Sequence, residues 1–236
     1  MMPYAIWKGS QSKADPLGYN GIATHMAPFL RTKEFEKFYW PTFSKLIHIQ
    51  AARGQQTAMF CENDWTRFAA DYLQDLPMGT RLCFEFGDAK QLKDKLGKKM
   101  ILGGLYPISL LKSGTKEQCV DKAKEIIDIM GCGGNFYFRF DKPTLHKEDV
   151  DAENYKAVMD YVLNQKYDNA GEKVSDTVKA HTIQAYNPDE YPAFKSKYIE
   201  SYESFTEGYD GFPECAQSML KEKFDLYNSK IIRFFS

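Results

Sequence analysis

Cys61 closes the apolar run Thr57-Ala58-Met59-Phe60-Cys61, and three polar residues, Glu62-Asn63-Asp64, follow it at once. A thiolate is a soft metal ligand and a strong nucleophile, so a cysteine at the end of a strand is well placed for either task. The same residue is inert when it simply fills a strand interior. Glu62 at that end is suited to orienting a substrate or ligating a metal, whereas Asp64 reads as the cap of a helix starting at Trp65. Glu85 alternates with Leu82, Phe84 and Phe86 in an apolar segment. A carboxylate buried there needs a partner or a raised pKa, which points to function. His25 precedes Pro28 and His146 follows Pro143, each in a loop, and each is a potential acid–base or metal-binding group. Gly103-Gly104 lacks the trailing Gly-Lys-Ser/Thr of a phosphate loop, so close backbone packing explains it better; Tyr106 beside it is a candidate to line a cofactor pocket.

The elements that must position these residues follow from periodicity and punctuation. Residues 1–24 read as irregular, broken by Gly9, Pro16, Gly18 and Gly21. Apolar side chains at helical spacing from Phe35 to Ile49 predict a helix over 32–53, with Thr32 as cap and, at Pro41, a kink or a division into two shorter helices. Strands are expected at 57–61, 81–86, 99–105 and 135–140, and helices at 65–76, 88–96, 115–130 and 151–165. Thr115 with Gln118 forms a capping-box pattern. Strand and helix thus alternate four times with short connections, which predicts an α/β fold with parallel strands and a ligand site at their C-terminal ends. Residues 169–188 are polar and weakly patterned, and 189–205 and 213–235 read as helices. The expected division is therefore a domain over 1–168 and a helical C-terminal extension over 169–236.

The balance of 31 Lys and Arg against 32 Asp and Glu gives a net charge of −1, which argues against a general nucleic-acid binder. No apolar run approaches the roughly 20 residues of a membrane span. The start, Met1-Met2-Pro3-Tyr4, lacks the basic-then-apolar pattern of a secretory signal. Five scattered cysteines without CxxC spacing fit a reduced, cytoplasmic compartment.

The stretch Gly103-Gly104-Leu105-Tyr106-Pro107 through Leu110 to Gly114-Thr115, the helix and strand after it, and Asp151-Ala152-Glu153-Asn154-Tyr155-Lys156-Ala157 resemble, in order and spacing, segments of the uroporphyrinogen decarboxylase superfamily. Pro28-Phe29-Leu30 through Pro41-Thr42-Phe43, leading into Thr57–Asn63, resembles that family's approach to its central strand. The likeness covers roughly residues 22–165 and implies the C-terminal half of a (β/α)8 TIM barrel, completed by a partner subunit that supplies the N-terminal half or by self-association. One family branch is corrinoid-dependent methyltransferases, in which zinc activates a thiol or methyl donor and a corrinoid is carried on a partner protein. The resemblance implies Cys61 and Asp141 as metal ligands, Cys61, Glu62 and Glu85 as catalytic residues, and His25 and Tyr106 at the cofactor mouth. The other branch, the cofactor-free decarboxylases of porphyrin biosynthesis, is the alternative. A non-catalytic fragment acting as a binding or assembly module is a third. The sequence departs from both branches: Met59 stands where the methyltransferases carry His, and Arg139-Phe140-Asp141-Lys142-Pro143 replaces the decarboxylase histidine loop. The decarboxylases' arginine-rich N-terminal motif has no counterpart.

Overall fold

The structure, a computed structural model, describes residues 19–52, 54–165, 201–207 and 213–235. Four strands, β1 (Tyr19–Ala23), β2 (Gln56–Asp64), β3 (Arg81–Phe86) and β4 (Ile101–Gly104), form one parallel sheet in the order β1-β2-β3-β4. Between them run α1 (Trp40–Ala52), the short α2 (Thr66–Ala69) and α3 (Ala89–Leu96). After β4 come α4 (Leu110–Ser113), α5 (Lys116–Met130) and α6 (Ala152–Leu163).

Each crossover steps to the next strand in the same direction. With right-handed crossovers, such a sheet carries its helices on one face and leaves the other open. The burial of β2 fits that division: Thr57, Met59 and Cys61 are buried, whereas Ala58, Phe60 and Glu62 are half-exposed. Leu82, Phe84 and Leu102 share the covered side and are fully buried, as are Leu92, Leu96, Met100, Leu111, Ala123 and Met130 of the helical layer. A second packing centre is aromatic. Phe35 stacks on Phe68 at 4.0 Å and meets Tyr39, Trp40, Trp65 and Tyr72, tying the long helical segment to α2.

The helix starts are chemically specified. Asp88 accepts from the Gln91 N–H, Thr115 and Gln118 cap reciprocally, and Asp151 accepts from the N–H groups of Glu153 and Asn154.

Several expectations are corrected. β1 lies within the stretch read as irregular; it has only five residues with a glycine at its centre, too short for an alternation to register. At Pro41 the helix is not split in two: a π-helical turn, Phe35–Tyr39, runs directly into α1. Pro41 has no N–H to offer the carbonyl four residues back, and the helix widens beside it. Residues 62–64 belong to β2 rather than to a turn, and the expected helix over 65–76 is only α2 followed by a 3-10 turn, Leu73–Asp75. The segment 135–140 makes two isolated parallel bridges, Leu102 with Phe136 and Tyr106 with Phe140, instead of a strand. The ladder fails there because Gly104 (φ 90°) and Leu105 (φ 68°) turn β4 aside.

The described residues divide into two compact units, the sheet unit and a helical one. In the helical unit Ser201 caps α7 (Tyr202–Thr206), and Phe224 of α8 (Glu214–Phe235) packs against Tyr202 and Phe205. The other residues of the expected extension, and those before Tyr19, lie outside the described residues. Among the described residues no helix is long and apolar enough to cross a membrane.

Candidate functional site

The open side of the sheet ends in a row of charged side chains. His25 follows β1, Glu62 lies near the end of β2, Glu85 near the end of β3, and Lys142 follows the bridging segment. His25 Nδ1 meets Glu62 Oε2, and Lys142 Nζ donates to Glu85 Oε1 at 2.7 Å. The Asn63 N–H donates to Glu85 Oε2 at 2.9 Å, which links the ends of β2 and β3. That contact depends on an irregularity in the β2–β3 register between Cys61 and Asp64, where Asn63 adopts φ 57°.

The two pairs differ in exposure. The His25 side chain is 64 % exposed, whereas that of Glu85 is 15 % exposed. Burial draws the Glu85 pKa upward, but the Asn63 N–H and the Lys142 ammonium outweigh it and hold the carboxyl below its ordinary value. The hydrogen bond to Glu85 in turn raises Lys142 above the usual lysine value, with Asp141 and Glu62 adding to the effect. The row therefore presents a fixed ammonium, two carboxylates and an exposed imidazole. Beside it, a cavity of about 360 Å³ is lined by Pro28, Phe29, Asn63, Asp64 and Arg67. Arg67 fixes its far wall by donating to the carbonyls of Pro28 and Leu30, both at 2.8 Å.

The structure thus brings together three of the residues singled out in the sequence, His25, Glu62 and Glu85. It places the others elsewhere. Cys61 alternates with Phe60 and Glu62, so it faces the helices and is fully buried. Burial first, and the neighbouring Cys83 second, push its thiol well above the ordinary value against a hydrogen bond with Thr24, and a neutral thiol results. Asp141 is 3 % exposed, and one oxygen accepts from the N–H groups of both Ile108 and Lys142, bracing the turn after Tyr106. Burial raises its carboxyl above the ordinary value despite those donors. Tyr106 is fully buried against Phe138 and Phe140, with its hydroxyl donating to the Cys119 carbonyl. The carboxylate of Asp64 accepts from the Thr66 N–H. His146 lies exposed beside Asp149, and His48 contacts the Asp75 carbonyl at the other end of α1. His181 lies outside the described residues.

Among the described residues no group of three His, Cys, Asp or Glu is arranged to hold a metal. The donor set implied for zinc, Cys61 with Asp141, does not fit one: the thiol is neutral and turned into the core, and the carboxylate is buried with one oxygen already accepting two N–H groups.

Lys142 falls at the strand ends in the sequence but carries no assigned role there, and Arg81 and Tyr137 on the open face carry none either. Lys142 pairs with a carboxylate 57 positions away, which no local pattern reveals. The alternation Arg81-Cys83-Glu85 was a signal in hand, because it sets all three on one face of β3. No protein-family model matches the chain, and no match was found among curated proteins.

Proposed function

We propose that the chain supplies one half of a (β/α)8 barrel similar to the uroporphyrinogen decarboxylase superfamily, and that its row of strand-end residues moves protons on an organic acid in the manner of a carboxy-lyase. A partner half, a second copy or another subunit, closes the ring. The observation that carries this reading is the meeting of the His25–Glu62 and Glu85–Lys142 pairs at the C-terminal ends of parallel strands, where ligands of α/β sheets bind. The one-directional strand order supports the half-barrel part.

When a carboxylate leaves as carbon dioxide, the electron pair of the broken C–C bond stays on carbon and a proton must meet it. Exposed His25, oriented by Glu62, is the donor in this scheme. Lys142, kept protonated by Glu85, offsets the negative charge that develops. Glu85 is the positioning residue for Lys142.

Methyl transfer to or from a corrinoid on a partner protein is the second reading. What favours it is the nitrogen and carboxylate pair of His25 and Glu62, two donor types a catalytic zinc uses, with a third ligand then needed from the partner half. The test runs both assays on the full chain, alone and mixed with a candidate partner half, alongside a zinc determination. Loss of carboxylate groups from uroporphyrinogen without bound zinc, abolished by His25→Gln, is the expected result. Corrinoid methylation by a zinc-loaded chain would replace the first reading with the second, and inactivity in both would leave the binding or assembly module.

A further inference from the structure

We propose that the cavity between the loop after β1 and the end of β2 binds a small zwitterion of the α-amino-acid class, with its ammonium on Asp64 and its carboxylate on Arg67. Pro28 and Phe29 of the loop form one side of the cavity, and Asn63 and Asp64 of β2 with Arg67 of α2 form the other. Asp64 and Arg67 are three residues apart in sequence, close enough for an ion pair, yet among the described residues neither makes one. Each is tied elsewhere by contacts that leave its charge uncompensated. Asp64 Oδ1 accepts from the Thr66 N–H at 2.7 Å, and its other oxygen has no hydrogen-bond partner among the described residues. Arg67 commits Nη2 to the carbonyls of Pro28 and Leu30, both at 2.8 Å, and its guanidinium lies 4.4 Å from the ring centre of Phe68. Those neutral groups fix the cation in place without neutralising it, and Nε and Nη1 have no hydrogen-bond partner among the described residues. The Asn63 carboxamide is also without one, although its backbone N–H is spent on Glu85.

A carboxylate and a guanidinium held apart on one cavity select a ligand that carries both opposite charges. A simple anion gains from Arg67 but is repelled by Asp64, and a simple cation meets the reverse. A zwitterion makes a charge-assisted hydrogen bond at each end. With Nη2 committed, Arg67 offers single donors and not the two-pronged fork that phosphate recognition uses. It therefore takes one carboxylate oxygen, and the Asn63 amide N–H is the donor for the other. Pro28 and Phe29, the latter 74 % exposed, supply an apolar wall for a side chain. The volume of about 360 Å³ lies at the small end of sites that hold small molecules. Asp64 and Arg67 are both exposed, so each contact alone is weak and measurable affinity needs the two together. Both walls belong to this chain and stand at the strand ends, so the site does not wait on a partner half. It is independent of the carboxy-lyase reading, and its test needs no turnover.

Calorimetric titration of the full chain at low ionic strength with glycine and with L-leucine tests the site. Isocaproate, which is leucine without its ammonium, and isoamylamine, which is leucine without its carboxylate, are the controls. At least one of the two amino acids is expected to bind saturably, and both controls are expected to bind about tenfold more weakly or worse. Asp64→Asn and Arg67→Gln are each expected to weaken amino-acid binding about tenfold or more. Arg67 also ties down the loop, so Asp64→Asn, which keeps an oxygen for the Thr66 N–H, decides the matter if Arg67→Gln alters the unfolding temperature. Binding of leucine more tightly than glycine would add the Pro28 and Phe29 wall to the site, and equal binding would confine it to the charged groups. Absence of saturable binding by both amino acids at millimolar concentration overturns the proposal. So does a control that binds as tightly as the amino acids, or an affinity unchanged in Asp64→Asn.

Discussion

At the scale of single residues, which side of a strand a side chain leaves from decides everything. Cys61 and Glu62 are neighbours, yet one is sealed among helices and the other stands on the open face. Sequence placed both at the end of β2 but could not set the parity, since a shift of one residue exchanges the faces. Tyr106 and Asp141 lie outside the regular strands, where no alternation marks a buried side chain, while His25, Glu62 and Glu85 were legible from their residue types at strand ends. Two predictions belong here. Replacing His25 with Gln is expected to reduce lyase turnover about a hundredfold or more while leaving the unfolding temperature of the chain unchanged, as befits an exposed proton donor; unaltered turnover would remove it from the chemistry. Glu85, with its folded pKa below the ordinary value, contributes stability that is complete above about pH 4.3 and fades as the pH falls through the lower folded value. The unfolding temperature of the wild type should therefore drop more steeply on acidification below about pH 4.3 than that of Glu85→Gln. Parallel profiles for the two proteins would argue against the Lys142 and Asn63 contacts.

At the scale of elements, caps and alternation carried most of the reading. β3, α3, α5 and α6 begin and end close to where Asp88, Gly97, Thr115 and Asp151 mark them. What escaped were features set by tertiary packing or by single backbone angles: the short β1, the π-helical turn before Pro41, and the collapse of the 135–140 strand into two bridges. The last has a local origin that a substitution can probe. A Cβ on Gly104 would sit 2.1 Å from the Phe84 carbonyl oxygen, and the residue holds φ 90°. Gly104→Ala is expected to destabilise the sheet unit by about 3 kcal/mol or more, measured by urea unfolding. A loss below about 1 kcal/mol would mean that β4 can move away from β3 at little cost.

At the scale of the whole molecule, the sheet has a first and a last strand of the same polarity and a face left uncovered by its own crossovers. Two such sheets related by an axis parallel to their strands can meet edge to edge with every strand parallel. The full chain is therefore expected to sediment with the mass of two chains at micromolar concentration; sedimentation as a single chain would require the second half of the ring to come from a different polypeptide. Strand order also bears on how the protein is made. β1 pairs with β2, β2 with β3 and β3 with β4, so every ladder joins the newest strand to the one synthesised just before it. Loop closures stay short, and the domain can be laid down in the direction of translation. No strand of this sheet has to wait on the ribosome for a distant partner that has not yet been made.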